Sequence, residues 1–239
     1  MSLTIVTAAV GTEYHDPSGF SFTYPDGWFA AAKLGNLNKL PPELASWITK
    51  NHIDLNQVAV VLIHAGRGDF MENLNVVVVH QEMPLTDATI REIVEGLPKQ
   101  YRSMGISIEN LDGREQQVGN NQAIVLDYRS RLPGLPLPIR QRQYYLPLAG
   151  NTYIVTCTAK AEAFANSGPV FDKIVESFST PGGAAGKTSD PNTDRILMFG
   201  VIGGAVFGMI GAIVAALKTM KRQEGEFVAS GAGRYQRGT

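Results

Sequence analysis

Residues 196–217 read ILMFGVIGGAVFGMIGAIVAAL, a run of 22 residues without a charge. As a helix it is about 33 Å long, against a hydrocarbon core of roughly 30 Å. A helix at the surface of a water-soluble domain is apolar along one stripe, whereas this one is apolar on every side. It predicts a single transmembrane span near the C-terminus, so the chain divides into a large N-terminal part that must build its own core in water and a short tail beyond the bilayer. Within the run Gly200, Gly204, Gly208, Ala212 and Ala216 recur every four residues. Small side chains at that interval share one helical face and let a second helix backbone approach, which predicts helix–helix assembly in the membrane. The general frequency of glycine in membrane helices is the competing reading.

The flanks of the span give two opposed signals. Lys218, Lys221 and Arg222 follow it directly, whereas Lys187 and Arg195 before it are offset by Asp190 and Asp194. The positive-inside rule therefore places the tail, residues 218–239, in the cytoplasm. Against this, residues 1–10 (MSLTIVTAAV) lack a positive n-region and a continuous apolar stretch, so they do not read as a signal peptide. A large domain translocated by a span made last is disfavoured, and the balance leans to a tail anchor with a cytoplasmic domain. Residues 181–195 begin PGGAAGKTSDPNTD, and those 14 residues read by composition as a flexible linker with an r.m.s. reach of about 20 Å. Gly186-Lys187-Thr188 imitates the end of a phosphate loop, but Pro181 stands where the first glycine belongs and no strand-to-helix unit surrounds it.

In residues 11–180 alternation and β-branched runs predict strands at Thr12–His15, Phe20–Tyr24, Gln57–His64, Asn75–Glu82, Ser107–Val118, Ala123–Arg131, Ile139–Leu146 and Thr152–Ala159. A helix is expected over Leu40–Asn51. A second, capped by Thr86, puts Ile90, Ile93, Val94, Leu97 and Tyr101 on one face, with Pro98 expected to kink or shorten it. A third starts near Ser167-Gly168-Pro169 and buries Phe171, Ile174, Val175 and Phe178. Hairpins with few helices imply an α+β domain, a mostly antiparallel sheet covered by helices.

Tyr14-His15-Asp16, followed by Gly19-Phe20-Ser21-Phe22-Thr23-Tyr24-Pro25-Asp26-Gly27-Trp28, resembles the opening of PsbP-like domains. Val170-Phe171-Asp172-Lys173-Ile174-Val175-Glu176-Ser177-Phe178 is similar to the terminal helix of that superfamily. The resemblance spans about residues 11–180. It implies a PsbP-like α+β sandwich and a binding module rather than an enzyme, since the superfamily includes extrinsic photosystem II subunits, Ran-binding import factors, DcrB-like envelope proteins and adaptors that shield effector membrane helices in type VI secretion. An added C-terminal anchor and the absence of a transit or lipoprotein leader depart from the photosystem pattern. The opening motif also has a purely structural reading, in which Gly19 and Pro25-Asp26-Gly27 turn the chain and Trp28 fills the core.

Few residues suggest chemistry. With 21 basic and 22 acidic residues and a net charge of -1, there is no basic stripe of the kind that tracks phosphates, so nucleic acid is not an expected partner. The 4 histidines, His15, His52, His64 and His80, lack metal-ligand spacing, and no metal or cofactor is expected. There is no G-x-S-x-G elbow, and Cys157 falls in an apolar strand-like run, the usual place for a buried and inert thiol. Arg67-Gly68-Asp69 reads as a polar turn between strands. No catalytic residue is assigned, and no enzyme is expected. The segment that stands out is Arg131-Leu132-Pro133-Gly134-Leu135-Pro136-Leu137-Pro138-Ile139-Arg140, where prolines and apolar residues occupy a strand connection. If exposed, Leu132, Leu135, Leu137 and Ile139, flanked by Arg129, Arg131, Arg140 and Arg142, form an apolar contact with a basic rim for a protein partner or the bilayer surface. The alternative is a proline-stiffened hairpin packed on its own domain. The sequence thus predicts a membrane-anchored, non-catalytic module that binds a protein partner, as an accessory subunit of a membrane complex. An adaptor that covers the hydrophobic helices of a client and a small-ligand-binding domain are the alternatives.

Overall fold

The computed structural model describes residues 11–32, 49, 58–64, 70, 72–132, 135 and 137–181. Residues 1–10, the linker beyond Pro181, the span with its stripe Gly200, Gly204, Gly208, Ala212 and Ala216, the tail, Arg67-Gly68-Asp69, and all but Thr49 of the helix expected over Leu40–Asn51 lie outside the described residues. Among the described residues no helix is long and apolar enough to cross a membrane.

The elements run β1 (Thr12–His15), β2 (Ser21–Tyr24), β3 (Trp28–Ala32), β4 (Val58–His64), β5 (Asn73–Val79), α1 (Asp87–Ser103), β6 (Ser107–Val118), β7 (Asn121–Arg131), β8 (Ile139–Leu148), β9 (Asn151–Lys160) and α2 (Phe164–Glu176). Seven strands form one antiparallel sheet in the order β3-β4-β5-β9-β8-β7-β6, and β1 and β2 pair separately. The fold is therefore α+β, a seven-stranded antiparallel sheet with two helices, as the strand-rich pattern predicts.

The turns carry local explanations. Between β8 and β9 both Ala149 (φ 52) and Gly150 (φ 78) take positive φ, the requirement of a two-residue hairpin whose twist matches its strands. The β6–β7 turn brings Gly119 (φ +58) so close to α2 that a Cβ there would lie 2.2 Å from the Glu176 carbonyl oxygen. Register slips in β6 between Glu109 and Asp112, where Asn110 takes φ 55. Such a bulge bends an edge strand away from further pairing, and the exposed charges of β6 reinforce that protection.

Both faces of the sheet are covered. On one, Ile93, Leu97 and Tyr101 of α1 pack with Ile124, Leu126, Tyr128, Tyr145 and Ile154. On the other, Phe171, Ile174 and Val175 of α2 pack with Phe20, Phe22, Val125, Tyr144, Val155 and Cys157. Burial on both sides explains the near-continuous apolar run of β9, buried at every position from Thr152 to Ala159.

Two helix expectations need correction. Of the two effects expected of Pro98, shortening does not occur, since α1 continues to Ser103. Proline removes one backbone donor and crowds the preceding turn, but Ile93, Leu97 and Tyr101 are all buried on the sheet, and burial on both sides of Pro98 holds the helix together. Thr86 does cap it, its hydroxyl accepting from the Thr89 N–H at 3.1 Å. The second helix starts at Phe164 rather than near Ser167. Phe164 is fully buried, and its first turn is closed by Asn166 and Ser167 N–H donating to the Ala163 carbonyl.

Candidate functional site

Alternation along β7, β8 and β9 places a block of charged and aromatic side chains on the α2 face. In register, Arg129 stands opposite Arg140, Asp127 opposite Arg142 and Val125 opposite Tyr144. Arg142 is in turn opposite Cys157, while Glu109 lies opposite Arg129 and Asp112 opposite Asp127. Directly opposed residues of an antiparallel pair point to the same side, and like charges so placed repel. Attraction offsets this both directly, Asp127 with Arg142, and diagonally, Asp127 with Arg140 and Glu109 with Arg131.

Arg142 is the centre. Its Nε and Nη2 donate to Asp127 at 3.0 and 2.9 Å, and its Nη1 donates to both oxygens of Asp172 at 2.7 and 3.0 Å. Asp127 also accepts from Arg140 Nε at 2.6 Å, and the Tyr144 hydroxyl donates to Asp172. The Phe164 ring lies under both guanidiniums, 4.9 Å from Arg140 and 5.3 Å from Arg142, within cation–π range of each. Burial alone would lower the Arg142 pKa, yet the hydrogen bond to Asp172, with Tyr144 and Asp127 behind it, leaves it raised. Tyr144 is raised by burial, then by the adjacent Cys157 and by Asp172. Cys157 is raised by burial and by Asp172, with Arg142 opposing. These groups are held in single protonation states far from neutrality.

The α1 face carries a second polar feature inside the core. Asn73, Asn75, Ser130, Gln141, Gln143, Thr156 and Thr158 are all buried. Gln143 donates to Thr156 at 3.2 Å and accepts from the Tyr145 hydroxyl at 3.0 Å. Ser130 donates to Gln141 at 2.9 Å, and the Tyr101 and Tyr128 hydroxyls meet at 3.1 Å. The Asn75 amide is 1% exposed and both its polar atoms lack a hydrogen-bond partner among the described residues. Burial raises the pKa of Tyr101, Tyr128 and Tyr145, so this belt too is neutral and fixed.

The proline-rich connection is placed differently from the exposed reading. Leu132 and Ile139 are buried in the α1-side core, and Leu135 and Leu137 pack against it. The loop is stapled by the Leu135 N–H donating to the Leu132 carbonyl at 3.2 Å and by the Pro138 carbonyl accepting from Ala161. Of the two readings of this segment, the described residues favour the hairpin packed on its own domain: Leu132 and Ile139 are withdrawn from water, and Leu135 and Leu137 are half-buried. Of the flanking arginines, Arg129 and Arg131 are exposed and Arg140 and Arg142 are partly buried. Arg131 is exposed and reaches Glu109 at 3.3 Å, Arg140 holds Asp127, and Arg129 is exposed with no carboxylate partner among the described residues.

His52 lies outside the described residues, and the other three histidines are dispersed. His64 stacks on Trp28 with ring centroids 5.1 Å apart and lies 3.5 Å from Glu72. His80, beyond the opposite end of β5, contacts Asn151 at 3.0 Å. Among the described residues no three metal-ligating side chains converge. Sequence reasoning missed Asp127, Asp172, Tyr144 and Phe164 as members of one cluster. The available signals were a lone carboxylate in the apolar run of β7 and the alternation of Arg140, Arg142 and Tyr144.

The class these residues define is an α+β domain with an antiparallel sheet sandwiched by helices. No known family profile matches the sequence, and no curated protein matches it. Solved structures similar in fold include CyanoP of Synechocystis sp. PCC 6803, at 20% identity and TM-score 0.48 over 76% of this chain and 98% of that one. Saccharomyces cerevisiae Ran-binding protein Mog1p aligns at 10% identity and TM-score 0.43 over 72% of this chain and 96% of Mog1p. LpqN, involved in cell envelope biogenesis of Mycobacterium tuberculosis, aligns at 13% identity and TM-score 0.39 over 71% of this chain and 90% of LpqN.

Proposed function

We propose that the chain is a non-catalytic binding module, held at a membrane by residues 196–217 and serving as an accessory subunit of a membrane complex through contact with a protein partner. The observation that carries this reading is the Asp127–Arg142–Asp172–Tyr144 network, whose members are bound to one another and in which Arg142 and Tyr144 both have raised pKa values. Proton-transfer chemistry needs a group poised near the working pH. This face offers fixed charges and directed donors instead, the ingredients of recognition. The uncharged run 196–217 is long enough to anchor such a module, and its small-residue stripe supports packing against another helix. We place the domain in the cytoplasm in preference to the exterior.

The test is cross-linking on carbonate-washed membranes with the full chain and with a chain lacking residues 196–217. The reading requires a discrete heteromeric adduct with the full chain and its loss on deletion of the span. A full chain that washes off, or one that stays bound and gives no adduct, refutes it.

A further inference from the structure

Arg129 and Arg140 are directly opposed across β7 and β8, so their Cβ atoms are about 5 Å apart on one face. Like charges on directly opposed residues of a ladder repel, and an anion that bridges them removes that repulsion. Arg140 uses Nε for Asp127 at 2.6 Å and lies over the Phe164 ring at 4.9 Å from its centroid; its Nη1 and Nη2 have no partner among the described residues, and its side chain is 37% exposed. Glu109, opposite Arg129 in register, is drawn instead to Arg131. Arg129 is thus left exposed and unpaired among the described residues, beside an oriented guanidinium with two free donors.

We infer that Arg129 and Arg140 form a docking point for a carboxylate presented by an acidic segment of a protein partner. The inference rests on the binding-module reading and gives the partner a chemistry. The guanidinium fork matches a carboxylate with two parallel hydrogen bonds, and the cost of orienting Arg140 is already met by Asp127 and Phe164. An anionic lipid surface fits less well. Around the pair, Arg114, Arg131 and Arg142 are balanced by Glu109, Asp112, Asp127 and Asp172. An extended negative surface averages these charges over a Debye length of about 10 Å and gains little. A single carboxylate between the two arginines meets the local positive field undiluted.

The experiment uses the full chain in phosphatidylcholine nanodiscs and a fluorescein-labelled hexaglutamate peptide, with binding read by anisotropy at physiological salt. Arg129→Gln and Arg140→Gln are each compared with Arg91→Gln, which removes one exposed charge from α1 on the other face. The proposal requires binding by the unmodified chain, a loss of about tenfold for each site variant, and no change for Arg91→Gln. Thermal melts guard against misfolding, and because Arg129 is exposed and unpaired its variant melts like the parent. Equal weakening by Arg91→Gln, or no binding at all, overturns the site. So does an Arg129→Gln effect seen only on flotation with phosphatidylserine vesicles, which would assign the pair to lipid headgroups. Membrane cross-linking separates the two levels: adducts undiminished by Arg129→Gln overturn this site alone, whereas no adduct with the parent chain overturns the reading beneath it.

Discussion

Replacing Arg142 by methionine removes one guanidinium and leaves its aliphatic volume, so the change isolates charge and hydrogen bonding from packing. The side chain is 18% exposed and its partner Asp127 12%, so little water is available to take over the lost contacts. Breaking a buried pair by deleting one partner costs about 3–5 kcal/mol. Two features put this case at the low end: Asp127 keeps Arg140 at 2.6 Å, and Asp172, 39% exposed, keeps water and the Tyr144 hydroxyl. The expected loss is about 3 kcal/mol, or a fall in Tm of about 6–12 °C for a domain of this size. Asp172→Asn should cost less, about 1 kcal/mol, because Arg142 retains Asp127. The assay is urea unfolding of the full chain in a neutral detergent, followed by near-ultraviolet circular dichroism of the buried tyrosines. Arg142→Met combined with Asp127→Asn should fall short of additivity by more than about 1 kcal/mol. A cost under about 1 kcal/mol for Arg142→Met, or one that disappears in high salt, would refute a buried pair, because salt screens exposed pairs far more than buried ones.

Other outcomes follow from the same geometry. Tyr101, Tyr128, Tyr144 and Tyr145 have folded pKa values raised above the ordinary 10.0, so the stability they contribute is complete below that pH and is lost as pH rises toward the folded values. Absorbance at 295 nm should show them ionising together with unfolding, and a smooth titration near pH 10 in the folded state would contradict their burial. Gly119→Ala places a methyl 2.2 Å from the Glu176 carbonyl oxygen at φ +58, and a loss of at least about 3 kcal/mol is expected from backbone strain plus displacement of α2; an unchanged urea midpoint would refute that contact. Asn75→Leu should raise stability by about 1 kcal/mol, since it replaces a buried amide without hydrogen-bond partners by an apolar group of similar size. A lowered melting temperature would mean that this amide is satisfied in solution.

Legibility tracked how much of each element depended on local pattern. Ser107–Val118 emerges with the boundaries read from sequence, and β7, β8 and β9 differ by at most two residues at an end, because their alternation and turn residues are local signals. The strand expected over Asn75–Glu82 instead spans Asn73–Val79. Asn73 and Asn75 look like turn residues, yet both are buried in the ladder beside β9. Trp28–Ala32 was not foreseen as a strand, since three successive alanines have little strand preference; pairing with β4 makes it one. The same limit governs the site. That Arg140 and Arg142 share a face is local alternation, but their meeting with Asp127, Asp172 and Phe164 depends on register and on the return of α2 across the sheet. The inward turn of Leu132 and Ile139 likewise required knowledge of the core they fill.

The central claim, a binding module held at a membrane within a complex, is tested most directly by the native mass of the chain released from carbonate-washed membranes in mild detergent. The account predicts retention in the membrane pellet and an assembly that exceeds the 25.8 kDa chain and its detergent by the mass of at least one different protein. Recovery in the supernatant as a 25.8 kDa monomer would contradict it.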